Sequence, residues 1–200
     1  MKKVIYDENE INDLASILDN NEVICVPTDT VFGLCSKTNS LEAYNNLVDI
    51  KDRPINKLFP VMCSDIEQIR DLALINDNAE KIIKEFTPGP LTIILKTKDN
   101  PHNYIDLKQD TIAIRLATSD VLYKLIKLID CPLFMTSANK SGASPCKNID
   151  EVICQIPNIG GILKGSIFYS IPSTIIDCSN DDIKIIRNGP ITLEDIKKVL

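Results

Sequence analysis

Short apolar runs alternate along this chain with stretches of helical period. Residues 8–21, ENEINDLASILDNN, set Ile11, Leu14, Ile17 and Leu18 on one helical face, with Asn9 in the cap position. Residues 22–27, EVICVP, are nearly all apolar and predict a buried strand. A second helix is predicted over 40–53, capped by Ser40, with Leu41, Tyr44, Leu47 and Val48 as its stripe. Further helices are predicted over 65–74, 77–89 (stopping at Pro88–Gly89), 119–130, 148–156 and 192–200, the last with Thr192 and Asp195 at capping-box spacing. Strands are predicted over 57–63, 90–96, 111–117, 131–137, 173–178 and 183–189.

Strands and helices interleave, which defines an α/β class. The strands at 90–96 and 111–117 follow one another through a polar loop, and the last two strands also lack a helix between them. Such pairs can run antiparallel, so the sheet is expected to be mixed. No linker-like segment divides residues 1–200, and one domain is expected.

Composition narrows the classes. With 44% hydrophobic and 25% charged residues the chain is an ordinary globular sequence, and no run approaches the roughly 20 apolar residues of a membrane helix. The start, MKKVIYDENE, is broken by acidic residues before a secretory core could form, so a cytoplasmic protein with no membrane partner is expected. Seven dispersed cysteines contain no CxxC pair, which argues against a zinc site and a disulfide framework. The net charge of −6 excludes a generic nucleic-acid coat but leaves room for a local cationic cleft.

Several apolar runs end in small polar or basic residues: Thr28-Asp29-Thr30 after 22–27, Ser137-Ala138-Asn139 after 131–137, Arg115 in TIAIR and Arg187 in IKIIR. In α/β folds ligands gather at strand carboxyl ends, and hydroxyls, amides and guanidinium groups there suit an oxygen-rich anion. Each piece alone also fits an ordinary turn or a solvated strand end. KDRP at 51–54, with Lys57 behind it, puts Lys51 and Arg53 at a helix C-terminus, where they could equally complement the dipole. No GxxxxGK[ST] or GxGxxG cradle occurs. His102, the one histidine, sits in a polar loop with no nucleophile nearby in sequence. The residues suit a site that holds charged reactants together, with little side-chain acid–base work.

Taken in order, PTDTVFGL, KDRP with its following lysine, PGPLTIIL, IAIR, TSANKSGASP, PSTIID and IIRNG resemble the YrdC/TsaC family of L-threonylcarbamoyladenylate synthases, from about residue 10 to about residue 190. The resemblance implies a twisted open α/β sheet with a concave cationic cavity. It implies a nucleotidyltransferase that makes threonylcarbamoyl-AMP and pyrophosphate from L-threonine, bicarbonate and ATP with Mg²⁺. The product would pass to a transferase complex that modifies tRNAs reading codons that begin with A. It assigns Thr30, Arg115, Met135 and Ser173 to threonine. It assigns Arg53, Lys57, Thr111, Ser137, Asn139, Pro145 and Arg187 to ATP, with Lys51 and Arg53 in the catalytic signature and no metal ligand from the protein.

The chain departs from the family where it has Phe32 for a common Tyr, Lys57 for Asn, Met62 for His and Ala117 for Pro. It ends near the last motif, so the extra C-terminal domain of longer relatives is not expected. Two alternatives keep the fold: a module binding tRNA or double-stranded RNA, and a related carbamoyl-adenylate-forming enzyme. The acidic charge and the 5% aromatic content disfavour RNA.

Overall fold

The computed structural model describes residues 4–54, 58–99, 101–105, 107–180 and 182–200. In chain order the elements are β1 (Ile5–Tyr6), α1 (Ile11–Asp19), β2 (Ile24–Pro27), β3 (Phe32–Lys37), α2 (Leu41–Lys51), β4 (Val61–Cys63), α3 (Ile66–Leu72), β5 (Ala73–Leu74) and α4 (Asp77–Phe86). They continue as β6 (Leu91–Thr97), β7 (Thr111–Leu116), α5 (Asp120–Leu128), β8 (Leu133–Ser137), α6 (Ile149–Gln155), β9 (Gly161–Leu163), β10 (Thr174–Asp177), β11 (Lys184–Arg187) and α7 (Leu193–Lys197).

The strands form one open sheet in the order β1-β9-β2-β3-β8-β4-β7-β6-β10-β11, with β5 on the far end of β6. Pairing is mixed, as expected: β6–β7 and β10–β11 are antiparallel, whereas β4–β7 and β6–β10 are parallel. The two faces carry different cargo because side chains alternate along a strand. On one face Ile112, Ile114 and Leu116 of β7 and Leu91, Ile93 and Leu95 of β6 join the larger core with α2, α3, α4, α6 and α7. The other face is covered at one end by α1 and α5, through Leu14, Leu18, Leu122 and Leu125. Its remainder is open and forms the cavity described below.

Local chemistry sets the helix ends. Ser40, Asp65, Asn76, Ser119, Asn148 and Thr192 each accept a backbone N–H from the first turn. Asn9 is no cap: it lies inside a 3₁₀ turn, Glu8–Glu10, where the Glu10 carboxylate accepts the Asp7 N–H at 2.9 Å. The buried stripe of α2 is Ala43, Tyr44, Leu47 and Lys51, and Leu41 faces solvent. The strands at 5–6, 32–37, 73–74 and 161–163 were not anticipated from periodicity.

Candidate functional site

A cavity of about 530 Å³ lies on the open sheet face. Strand alternation builds it. β7 directs Thr111, Ala113 and Arg115 into it, β6 directs Thr92 and Ile94, and Ser173 and Ile175 enter from the β10 segment. Because β7 contributes from its first residue to its fifth, the cavity spans the face of the sheet. The expected crevice at strand carboxyl ends is therefore replaced by a site across the strands. Lys51, Arg53, Arg115 and Arg187 all line it, and no carboxylate is among the described lining residues.

The turn between β2 and β3 supplies the first wall. Thr28 folds its hydroxyl back, donating to the Val31 carbonyl at 2.7 Å and accepting the N–H groups of Thr30 and Val31 at 3.2 Å. This places Thr30 beside Arg115, whose Nη1 donates to Thr30 Oγ1 at 2.9 Å. The Arg115 guanidinium also donates to the Gly89 carbonyl, from Nε at 3.2 Å and from Nη2 at 3.0 Å, and forms an ion pair with Asp29. Burial pushes Arg115 down and Asp29 up from their ordinary pKa ranges, and the attraction between them opposes both shifts. Asp29 and Gly89 were not among the expected site residues; the cluster TDT held the signal for the first, and nothing in PGP marked the second.

Across the cavity Ser173 Oγ and Thr92 Oγ1 share a hydrogen bond of 2.8 Å, and Arg187 donates to the Ser173 carbonyl at 3.0 Å and hydroxyl at 3.1 Å. Burial and the like charge of Arg115 push the Arg187 pKa down. Two guanidinium groups of like charge thus line the same cavity, Arg115 already paired with Asp29, an arrangement that favours an incoming anion.

The third cluster is centred on Lys51. Asp52, in the left-handed region with φ 52°, ends α2 and turns the chain into Arg53. Lys51 Nζ donates to the Ser137 carbonyl at 2.5 Å, to Asn139 Oδ1 at 2.7 Å and, more weakly, to Ser137 Oγ at 3.3 Å. Burial, followed by the charge of Arg53, pushes its pKa down to about 8. Arg53 donates to the Leu58 carbonyl at 3.0 Å and stacks 5.0 Å from the Phe59 ring centroid.

The expected residues Thr30, Lys51, Arg53, Thr111, Arg115, Met135, Ser137, Asn139, Ser173 and Arg187 all line this cavity. Pro145 does not; it is half-buried in the loop before α6. Lys57 lies outside the described residues. Phe32 and Met62, two of the departures from the family pattern, are packed in the two apolar cores and are not among the cavity-lining residues. The cysteines other than Cys154 are buried. Desolvation raises the thiols of Cys25, Cys35, Cys63, Cys131, Cys146 and Cys178, which keeps them protonated.

An open mixed sheet with a cavity lined by hydroxyl, lysine and arginine side chains suits small anionic molecules. The chain belongs to the Sua5/YciO/YrdC family, described as telomere recombination, whose pattern it matches over residues 16–189. It is similar to the threonylcarbamoyl-AMP synthase of Buchnera aphidicola, with 33% identity over 86% of this chain and 99% of that one. It is 31% identical to the threonylcarbamoyl-AMP synthase of Bacillus subtilis over 98% of this chain and 59% of that protein. The Pyrococcus abyssi Sua5 structure complexed with L-threonine superposes with a TM-score of 0.90 at 28% identity, covering 100% of this chain and 61% of that one. The chain thus spans about three-fifths of the Bacillus and Pyrococcus proteins.

Proposed function

We propose that the protein is a threonylcarbamoyl-AMP synthase that condenses L-threonine, bicarbonate and ATP for tRNA modification in the cytoplasm. The observation that carries this reading is the convergence of Lys51, Arg53, Arg115 and Arg187, from three separate segments, on one cavity whose described lining holds no carboxylate. Family membership and the relatives' names support it.

The threonine subsite in this reading is Thr30, Arg115, Met135 and Ser173. Arg115 keeps one Nη1 proton outside its bonds to Thr30, Gly89 and Asp29, and that proton suits the amino acid's carboxylate. The Thr92–Ser173 hydroxyl pair suits the substrate hydroxyl. A pocket that pairs that hydroxyl with buried groups rejects an analogue lacking it.

The nucleotide subsite is Lys51, Arg53, Thr111, Ser137 and Arg187, with the Asn139 amide bonded to Lys51 and Ser137 of that set. The threonine amine first takes up bicarbonate to give a carbamate and water. A carbamate oxygen then attacks the α-phosphorus of ATP in line, and the bond to the pyrophosphate oxygen breaks. Carbamate and triphosphate are both anionic, so four cations lower the repulsion of bringing them together. The described lining offers hydroxyls and cations but no carboxylate, which fits Mg²⁺ arriving on the phosphates of ATP; there it would screen their charge. The tRNA-modifying transferase that consumes the product belongs to this reading as well.

Pyrophosphate release from ATP tests it. Release is expected to require both L-threonine and bicarbonate and to be weaker with L-serine. Release independent of the amino acid, or none at all with ATP bound, would overturn the reading.

A further inference from the structure

Asn139 is 5% exposed and every hydrogen-bonding position of its amide is engaged by the protein. Oδ1 accepts from Lys51 Nζ at 2.7 Å and from Ser137 Oγ at 2.6 Å. Nδ2 donates to the carbonyls of Lys140 at 2.7 Å and Ala143 at 2.8 Å. An amide has two lone pairs and two protons, so this set exhausts it. The opposite orientation of the amide would aim its NH₂ at an ammonium and its oxygen at two carbonyls, so chemistry fixes the assignment.

The partners of Asn139 do face the ligand space. Lys51 and Ser137 line the cavity, as do Ser141 and Gly142 of the loop; Asn139 borders it too, but with its amide fully engaged by the protein. The loop itself is closed by the Asn139 amide, by Ala143 N–H to the Lys140 carbonyl at 3.0 Å, and by Ser141 N–H to the Lys51 carbonyl at 3.0 Å. Gly142 sits at φ 84°, where a side chain would be strained though nothing crowds it. Of the three Lys51 ammonium bonds, the two short ones go to the Ser137 carbonyl and to Asn139. The 3.3 Å bond to Ser137 Oγ is the one that a phosphate oxygen can replace.

We propose that Asn139 is a positioning residue, which holds the Lys51 ammonium against the cavity and closes the 139–143 turn, and that it makes no contact with the nucleotide. This rests on the nucleotide-binding reading of the cavity. The groups that face Lys51 electrostatically are Arg53, which lowers its pKa, and Cys146, which raises it. Removing or charging Asn139 therefore acts on a lysine whose pKa burial and Arg53 already push down to about 8.

The test follows Lys51 by ¹³Cε and ¹⁵Nζ NMR across pH in the nucleotide-free protein, together with kcat/KM for ATP, in wild type, Asn139→Ala and Asn139→Asp. Thermal unfolding establishes that each variant folds; the near-isosteric Asn139→Asp serves if Asn139→Ala does not. Asn139→Ala is expected to lower the Lys51 titration by about one pH unit, and Asn139→Asp to raise it by at least as much. The alkaline limb of kcat/KM is expected to move with it, so that the Asn139→Ala deficit narrows in mild acid. An unchanged Lys51 titration, with KM for ATP raised by the same factor at every pH, would overturn the proposal and make Asn139 a nucleotide contact. A shifted titration in a protein that releases no pyrophosphate would uphold the positioning role and overturn the synthase reading.

Discussion

Arg115 engages four of its five N–H groups within the protein, and Asp29 is its only ion-pair partner among the described residues. The Arg115 side chain is 9% exposed and that of Asp29 18%, so both charges are largely withdrawn from water. Removing one partner of such a pair leaves the other charge uncompensated, which costs about 3–5 kcal/mol. Asp29→Ala and Arg115→Ala are each expected to destabilise the fold by that order in urea unfolding. The double variant is expected to lose clearly less than the sum, because the second change removes the stranded charge. Additive losses would show that the two side chains act independently. Asp29 also accepts the Phe168 and Tyr169 N–H groups on its carbonyl, at 3.0 and 2.8 Å, so it links the loop before Ser173 to the guanidinium.

At the scale of elements, alternation determines which residues meet. In β7 the isoleucines at 112 and 114 enter the core, and Thr111, Ala113 and Arg115 enter the cavity. The sequence TIAIR carries that division openly, and the motif ends of β6, β8 and β10 do the same, so most of the site could be read before folding. Other features could not. β1, β5 and β9 are two or three residues long, too short for any period to show. β3 was hidden by Gly33, a poor strand residue, whose Cβ would lie 2.5 Å from Met135 Sδ; the glycine makes room for a cavity residue. Gly189 illustrates the same dependence on close backbone approach. A Cβ there would lie 2.3 Å from Thr174 N, 2.6 Å from Ser173 C and 2.7 Å from Pro172 O, and backbone cannot yield as a side-chain tip can. Gly189→Ala is expected to displace Ser173 from Arg187, to destabilise the fold by about 1–3 kcal/mol and to reduce pyrophosphate release. A variant with wild-type turnover would remove the Ser173–Arg187 contact from the working geometry.

For the whole molecule, two electrostatic effects compete over the same ligand. The chain carries a net charge of −6, which repels a nucleotide, whereas its cavity presents Lys51, Arg53, Arg115 and Arg187. Magnitudes decide between them. A net charge of −6 spread about 20 Å away sums to about 1 kcal/mol of repulsion per unit of ligand charge in water. One cation about 4 Å from a phosphate oxygen gives about 4 kcal/mol at the effective dielectric of a protein surface. The local term therefore dominates, and raising the ionic strength is expected to weaken ATP binding as the screening length falls from about 30 Å to about 8 Å. Titration calorimetry from about 10 to about 150 mM salt measures this directly. Were the global charge in control, added salt would screen the repulsion and tighten binding, a change of the opposite sign. The same titration with Arg187→Ala separates the terms further: one cavity cation fewer should flatten the salt dependence, while the removal of one positive charge from the whole chain makes the global repulsion slightly larger. A flatter slope with weaker affinity would place the control in the cavity, and an unchanged slope would return it to the molecule as a whole.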